Sequence, residues 1–220
     1  MSGTVLVTGG DGGIGRACVA LFEGRGDRVL VLDRARGHDA CDPASVASVL
    51  EGVDRLDAVV HAAGSVGEGG VEDTSLEQWR SVVDDNLTSA FVVCKAALPL
   101  LGDGGSVVLL SSVNGRHGGT LLSGPAYAAA KAGVIGLARH LAKFHGVRGV
   151  RVNAIAAGPV ATAMVDRLAD DALAGLVATM ALPKVASTAE VAGTVAWLCS
   201  PAAASVTGAV VDLNGGMWMG

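Results

Sequence analysis

Tyr127 is the only tyrosine in the chain, and Lys131 follows it in the run Tyr-Ala-Ala-Ala-Lys. Residues four apart share a face of a helix, so this spacing puts a phenol beside an ammonium. A neighbouring cation favours phenolate and draws a tyrosine pKa down from about 10. The pair therefore predicts an acid/base group usable near neutrality. Upstream, the apolar run Ser106–Ser111 ends in the hydroxyl pair Ser111-Ser112. A serine at a strand end can orient a substrate carbonyl and stabilise charge on its oxygen. Neither serine sits in a G-x-S-x-G turn, which argues against a hydrolase nucleophile.

A second constellation opens the chain. The apolar run Thr4–Thr8 leads into Gly9-Gly10-Asp11-Gly12-Gly13-Ile14-Gly15 and then a helical pattern from Arg16 to Phe22. Gly9 permits a tight turn, while Gly13 and Gly15 let a pyrophosphate and the adjoining strand approach the backbone. The following helix N-terminus supplies unpaired N–H groups and the positive end of a dipole. No Gly-Lys-Ser/Thr follows, so a triphosphate loop is disfavoured. Asp33 closes the next apolar run, where a carboxylate accepts hydrogen bonds from ribose hydroxyls and repels a 2′-phosphate. That predicts NAD as the cofactor, with the adjacent Arg34 softening the preference.

These groups need a scaffold, and the pattern supplies one. Candidate strands are Thr4–Thr8, Arg28–Asp33, Asp57–His61, Ser106–Ser111, Arg151–Ile155 and Ala209–Leu213. Most are almost wholly apolar, as strands covered on both faces should be. Candidate helices are Gly13–Gly24, Pro43–Leu50, Leu76–Leu98, Ala126–His145, a stretch around Met164–Met180, and Thr188–Cys199. Asp42-Pro43 reads as a helix cap followed by proline, and Ser187 to Glu190 as a capping box. Strands alternating with helices predict a single α/β domain over residues 1–220. Its expected form is a three-layer, doubly wound Rossmann fold with a mostly parallel sheet of about seven strands. The short segment between Asp33 and Asp42 leaves no room for a full helix before an edge strand, so that side of the sheet is trimmed.

Composition narrows the partners. The formal net charge is −5, with no long basic run, which disfavours nucleic acid. Four scattered cysteines form no CxxC pair and read as buried thiols in a reducing compartment. His61 and His117 lack metal-ligand spacing, so no metal is expected; His117 is a candidate substrate contact and His61 an interior residue. MSGTVLVTGG runs almost directly into a strand without a leader pattern, and no apolar run reaches the roughly 18 residues needed to cross a bilayer. A cytoplasmic protein without membrane partners is the expectation.

Taken in order, the motifs resemble the short-chain dehydrogenase/reductase family in its single-domain form. The matching pieces are TGGDGGIG (Thr8–Gly15), Asp33, Asp42, HAAG (His61–Gly64), DNLTSAF with Asn86, SSVNG (Ser111–Gly115), YAAAK (Tyr127–Lys131), VNAIAAGPVAT (Val152–Thr162) and TGAVVDLNGG (Thr207–Gly216). The resemblance implies a catalytic group of Asn86, Ser112, Tyr127 and Lys131. Tyr127 would be the acid/base, Ser112 the substrate-orienting hydroxyl, Lys131 the tuner of Tyr127 and holder of ribose hydroxyls, and Asn86 the keeper of a relay water. It also implies cofactor contacts from Gly9, Gly12, Gly13, Ile14, Gly15, Asp33, Ala62, Ala63 and Gly64. Asp42 would meet the adenine amino group, and Gly158, Pro159, Val160 and Thr162 would surround the nicotinamide.

Three departures stand out. HAAG replaces the family's NNAG, which loosens the polar ties of the central strand. Ala157 replaces a proline before the nicotinamide loop. Ser112 and Tyr127 stand two residues further apart than is usual, leaving Ser111 and Ser123 as alternative hydroxyls, and the extra residues fall in 116–124. Leu121, Leu122, Met164 and Leu168 predict a mainly apolar ketone or secondary alcohol of modest size, of the hydroxyacyl, steroid-like or small-ketone kind. The apolar C-terminal GGMWMG suggests a subunit contact in a homotetramer or dimer. A non-catalytic dinucleotide-binding protein and an NAD-dependent epimerase are the competing readings.

Overall fold

The computed structural model describes residues 3–220. Six parallel strands form one sheet: β1 (Thr4–Thr8), β2 (Arg28–Leu32), β3 (Leu56–His61), β4 (Leu101–Ser112), β5 (Arg151–Ala157) and β6 (Val210–Leu213), in the order β2-β1-β3-β4-β5-β6. Alternation along each strand divides its side chains between two cores. Leu6, Val59, Leu109 and Val152 face one core, which is closed by α2 (Pro43–Val49), α4 (Ser89–Ala97) and α6 (Gly124–His145). Val5, Val7, Val60, Val108 and Ile155 face the other, beneath α1 (Gly13–Gly24) and α9 (Thr188–Cys199). The result is the expected three-layer, doubly wound fold.

The expected seventh strand is absent among the described residues, and β2 is the edge of the sheet. A parallel neighbour requires a crossover of about a dozen residues or more, and only residues 34–41 separate Asp33 from Asp42. They form a single 3-10 turn, Arg34–Arg36, and a short loop before α2.

The long helix expected over Leu76–Leu98 is interrupted. It consists of α3 (Leu76–Val83), a π turn at Asp84–Thr88, and α4. Asn86 supplies the local cause: its Nδ2 donates to the Val82 carbonyl at 2.8 Å, competing with the helical ladder four residues back. The stretch around Met164–Met180 likewise divides, into α7 (Ala163–Asp166) and α8 (Asp170–Ala178). A further short helix, α5 (Asn114–His117), follows β4. No described helix is long and apolar enough to cross a membrane.

Candidate active site

The strand order reverses between β1 and β3, and the site lies beyond the carboxyl ends of these strands, as doubly wound sheets favour. Gly9 adopts a φ of +65°, and a Cβ there would stand 2.9 Å from the Ala62 carbonyl oxygen. A Cβ on Gly15 would overlap the Gly9 carbonyl. Both positions therefore require glycine for the tight turn into α1. Gly12 caps α1 with no side-chain partner, which leaves the first-turn N–H groups open to an anion. Gly9, Gly12, Gly13, Ile14 and Gly15 line a cavity of about 300 Å³, together with Gly158, Val160 and Thr162. A second cavity of about 340 Å³ shares Gly9, Gly12, Ala62 and Gly64 with it and extends past Ala63 to Asp33.

Asp33 is held by the backbone. Its Oδ2 accepts from Asp11 N–H at 3.0 Å and its Oδ1 from Ala35 N–H at 2.9 Å. The cations beside it are occupied. Arg36 makes a bidentate pair with Asp11 at 2.7 and 2.9 Å, holding that carboxyl below its usual range. Arg34 donates to Asp85 at 2.6 Å. Asp42 does not reach this cavity: its carboxylate caps α2 by accepting from Ala44 and Ser45 N–H, both at 3.1 Å. Ala40 and Cys41 line the cavity where Asp42 was expected.

His61 repairs the central strand. It is fully buried, with Nδ1 2.9 Å from Thr8 Oγ1 and Nε2 3.2 Å from Ser89 Oγ. Ser89 donates its own proton to the Asp85 carbonyl, so its oxygen accepts from His61 Nε2–H. Thr8 then donates to Nδ1 and accepts from Ala63 N–H at 3.3 Å. Burial, reinforced by the Lys131 charge, pushes the imidazole down to about 3 and keeps it neutral. The polar ties expected to be loosened by HAAG are thus rebuilt through one histidine.

Ser112 ends β4, and Tyr127 lies in the first turn of α6 with Lys131 one turn on. Tyr127 and Ser112 border both the nucleotide-side cavity and a smaller cavity of about 100 Å³. Ser111 instead donates to the Lys131 carbonyl at 2.8 Å, and Ser123 bonds Thr120, so Ser112 alone of the three faces both spaces. The expected depression of Tyr127 by Lys131 is not found. Burial raises the phenol, opposed by the nearby Ser112 hydroxyl and the Arg167 charge. Lys131 Nζ stands 5.6 Å from the Tyr127 ring centre and donates to the Leu110 carbonyl at 2.8 Å. Burial lowers its own pKa to about 8.

Asn86 Nδ2 also donates to the Ser65 carbonyl at 2.8 Å, while its buried Oδ1 has no partner. That oxygen points over Gly64, where a Cβ would collide with it and would stand 3.5 Å from Lys131 Nζ. An unpaired buried acceptor beside an ammonium fits a bound hydroxyl or water. The open helix N-terminus, the glycine cradle and the Asp33 carboxylate fit a dinucleotide in the two joined cavities.

The smaller cavity is walled by Leu122, Met164, Leu168, Leu176 and Met217, with Arg167 among them. Leu121 is 71% exposed and takes no part. Pro159 lines this space rather than the nucleotide cavity. The nicotinamide-loop candidates are tied on both sides: Gly158 N–H donates to Leu213, and Ala161 N–H to Ala186, both at 2.9 Å. His117 Nδ1 accepts from Gly119 N–H and lines neither cavity. Sequence reasoning missed Arg167 because no spacing signal marks it, and missed the Arg36–Asp11 pair because only the fold joins them.

Residues 37–218 match the protein family described as Enoyl-(Acyl carrier protein) reductase. The chain is 34% identical to 3-oxoacyl-(acyl-carrier-protein) reductase of Escherichia coli K12, over 97% of this chain and 96% of that one. A short-chain dehydrogenase/reductase structure from Brucella melitensis, described as glucose/ribitol dehydrogenase, superposes with a TM-score of 0.91 at 28% identity, covering 100% of both chains. A blue fluorescent protein from a metagenomic library, solved in complex with NADPH, gives a TM-score of 0.87 at 27% identity over 99% of this chain and 98% of that one. These likenesses extend over nearly the whole chain. The protein belongs to the short-chain dehydrogenase/reductase family.

Proposed function

We propose that the protein is an NAD-preferring oxidoreductase that moves a hydride reversibly between nicotinamide and a ketone or secondary alcohol. The observation that carries this reading is the position of Ser112 and Tyr127 on the wall shared by the nucleotide-side and smaller cavities. A carbonyl placed there meets a proton donor on one side and the dinucleotide on the other. When bound, the reduced dinucleotide supplies the hydride to the carbonyl carbon. Tyr127 donates its proton to the carbonyl oxygen as the C=O π pair moves there, and Ser112 hydrogen-bonds the same oxygen. Burial keeps Tyr127 protonated at neutral pH, which suits it to reduction. The unpaired Asn86 Oδ1 would accept from a water through which Lys131 could pass a proton toward Tyr127, and Lys131 would also hold ribose hydroxyls of the bound dinucleotide.

The NAD preference rests on Asp33. Its carboxylate is oriented by two N–H groups at the end of β2, while Arg34 and Arg36 are already engaged by carboxylates. A 2′-phosphate would meet the anion and find no cation free of a partner among those two arginines. Gly9, Gly12, Gly13, Ile14 and Gly15 would hold the diphosphate, with Ala62, Ala63 and Gly64 lining the same cavities, and Gly158, Val160 and Thr162 would contact the nicotinamide end. The exposed Leu76, Trp79 and Phe91 of α3 and α4, with Phe144 of α6, support a homo-oligomer, a tetramer or dimer, whose mass light scattering would give. Four free thiols, buried or half-buried, support a cytoplasmic setting.

The testing experiment follows NADH oxidation across a panel of small ketones, repeats each reaction with NADPH, and includes Tyr127→Phe. NADH-preferring turnover that collapses in Y127F is the expected result. Turnover that survives Y127F removes the mechanism, and a preference for NADPH removes the Asp33 argument.

A further inference from the structure

Arg167 follows α7 directly, on the segment that roofs the smaller cavity, and its Nη2 donates to the Leu122 carbonyl in the 116–124 loop. Among the described residues it is the one charged group lining that cavity, and its charge acts on the Tyr127 phenol. The remaining walls are apolar or neutral, including Leu122, Met164, Leu168 and Met217. Arg34, Arg36 and Arg116 each have a carboxylate within ion-pair distance; among the described residues Arg167 has none. Glu68, Glu77 and Asp85 line the neighbouring cavity that Arg167 also borders, yet none pairs with it. A guanidinium carries five N–H donors, and the Leu122 carbonyl uses one. The result is a solvent-exposed cation with donors to spare at the rim of a space of about 100 Å³ that Ser112 and Tyr127 also line.

We propose that Arg167 determines substrate specificity, and that the substrate is a small ketone or secondary alcohol bearing a carboxylate. Arg167 takes the carboxylate while Ser112 and Tyr127 take the reacting oxygen, so the substrate is held at both ends. Arginine suits this task because its planar fork pairs with both carboxylate oxygens. Two-point attachment also selects which face of the carbonyl carbon receives the hydride. The apolar walls then accommodate only the short carbon chain between the two groups. The proposal rests on the hydride-transfer reading above and adds to it a substrate class.

The experiment compares two acids, 3-oxobutanoate and 4-oxopentanoate, each with its neutral methyl ester. NADH-dependent kcat/KM is measured for the wild type, Arg167→Met and Arg167→Lys. The expected wild-type acid-to-ester ratio exceeds about tenfold for at least one pair, as loss of a charge-assisted contact implies. R167M brings that ratio to near unity, mainly through KM for the acid, and R167K retains part of it. Acid and ester rates that fall by the same factor in R167M would show that Arg167 only ties the roof to the loop, and would overturn the proposal. A wild type without acid preference also overturns it.

Two further arms separate the remaining sources of failure. If R167M spares the acid ratio but removes a preference for acetoacetyl-CoA over the uncharged N-acetylcysteamine thioester, the anion belongs to a carrier and the carboxylate proposal fails. If no ketone is turned over, calorimetric titration of 3-oxobutanoate into the NAD-bound protein decides. Binding that R167M abolishes supports the Arg167 assignment while removing the hydride-transfer reading. No binding to the wild type overturns the assignment itself.

Discussion

The two ends of the site are built differently. On the nucleotide side, turn, carboxylate and cations are locked together: Asp33 is held by two N–H groups, and Arg36 is clamped bidentately on Asp11. Gly9 and Gly15 there have no steric alternative. On the substrate side, α7 and α8 contain no buried residue and no side-chain cap, and one hydrogen bond from Arg167 joins them to the 116–124 loop. A ligand part that never changes can be met by a preorganised cradle, whereas a variable substrate is met by short elements on the rim. The locked and the loosely held parts of the site are thus different segments of one chain.

The sharpest way to break this comparison is at the group shared by both sides. Y127F is expected to lower kcat by roughly 10²–10⁴-fold, with NADH binding by fluorescence titration retained. A loss of binding instead would place Tyr127 in the cradle and not in the chemistry. Next in size is Asp33→Ala, which removes a charged acceptor from the nucleotide side only. The NADH-to-NADPH ratio of kcat/KM is expected to fall about 10–100-fold, with the ratios among ketones unchanged. A change in ketone selectivity would show that the two sides are coupled.

The locked side also predicts a pH dependence of stability. His61 has a folded pKa of about 3, below the ordinary 6.5, so the unfolded chain binds the proton more tightly. Its contribution is fully present above about pH 6.5 and is lost as the pH falls toward the folded value. Between pH 7 and pH 5 the loss is about 2 kcal/mol, measurable by urea unfolding at the two pH values. A pH slope that persists in His61→Asn would assign the effect to other groups. The smallest expected effect is that of Asp11→Asn, which frees Arg36. NADPH use is expected to improve about fivefold at most, as the exposed pair implies, and steady-state kinetics with both cofactors would read it.

Much of this was legible in the residues. The apolar runs of β1, β3 and β5 were readable because both faces of those strands are covered, so nearly every position is hydrophobic. Tyr127 and Lys131 were readable because helical spacing alone puts them on one face. What misled was environment: the Tyr127 acidity was inferred from a neighbouring cation, but burial dominates, and Lys131 turns to the Leu110 carbonyl. Asp42 was assigned to adenine by resemblance, whereas its place before Pro43 gave it to the helix cap.

The sequence by itself determined the alternation of strands and helices, the glycine turn and the placing of Tyr127 and Lys131 on one helix. Those depend on near neighbours and on periodicity, which a linear chain displays directly. Tertiary structure alone decided that Arg36 neutralises Asp11, that His61 stitches Thr8 to Ser89, and that Arg167 and Tyr127 line the same smaller cavity. Thr8 and Ser89 meet His61 from separate elements, and Arg167 lies forty residues beyond Tyr127. Charge compensation and burial at such distances are properties of the packed chain, because each depends on which groups the fold has taken out of water.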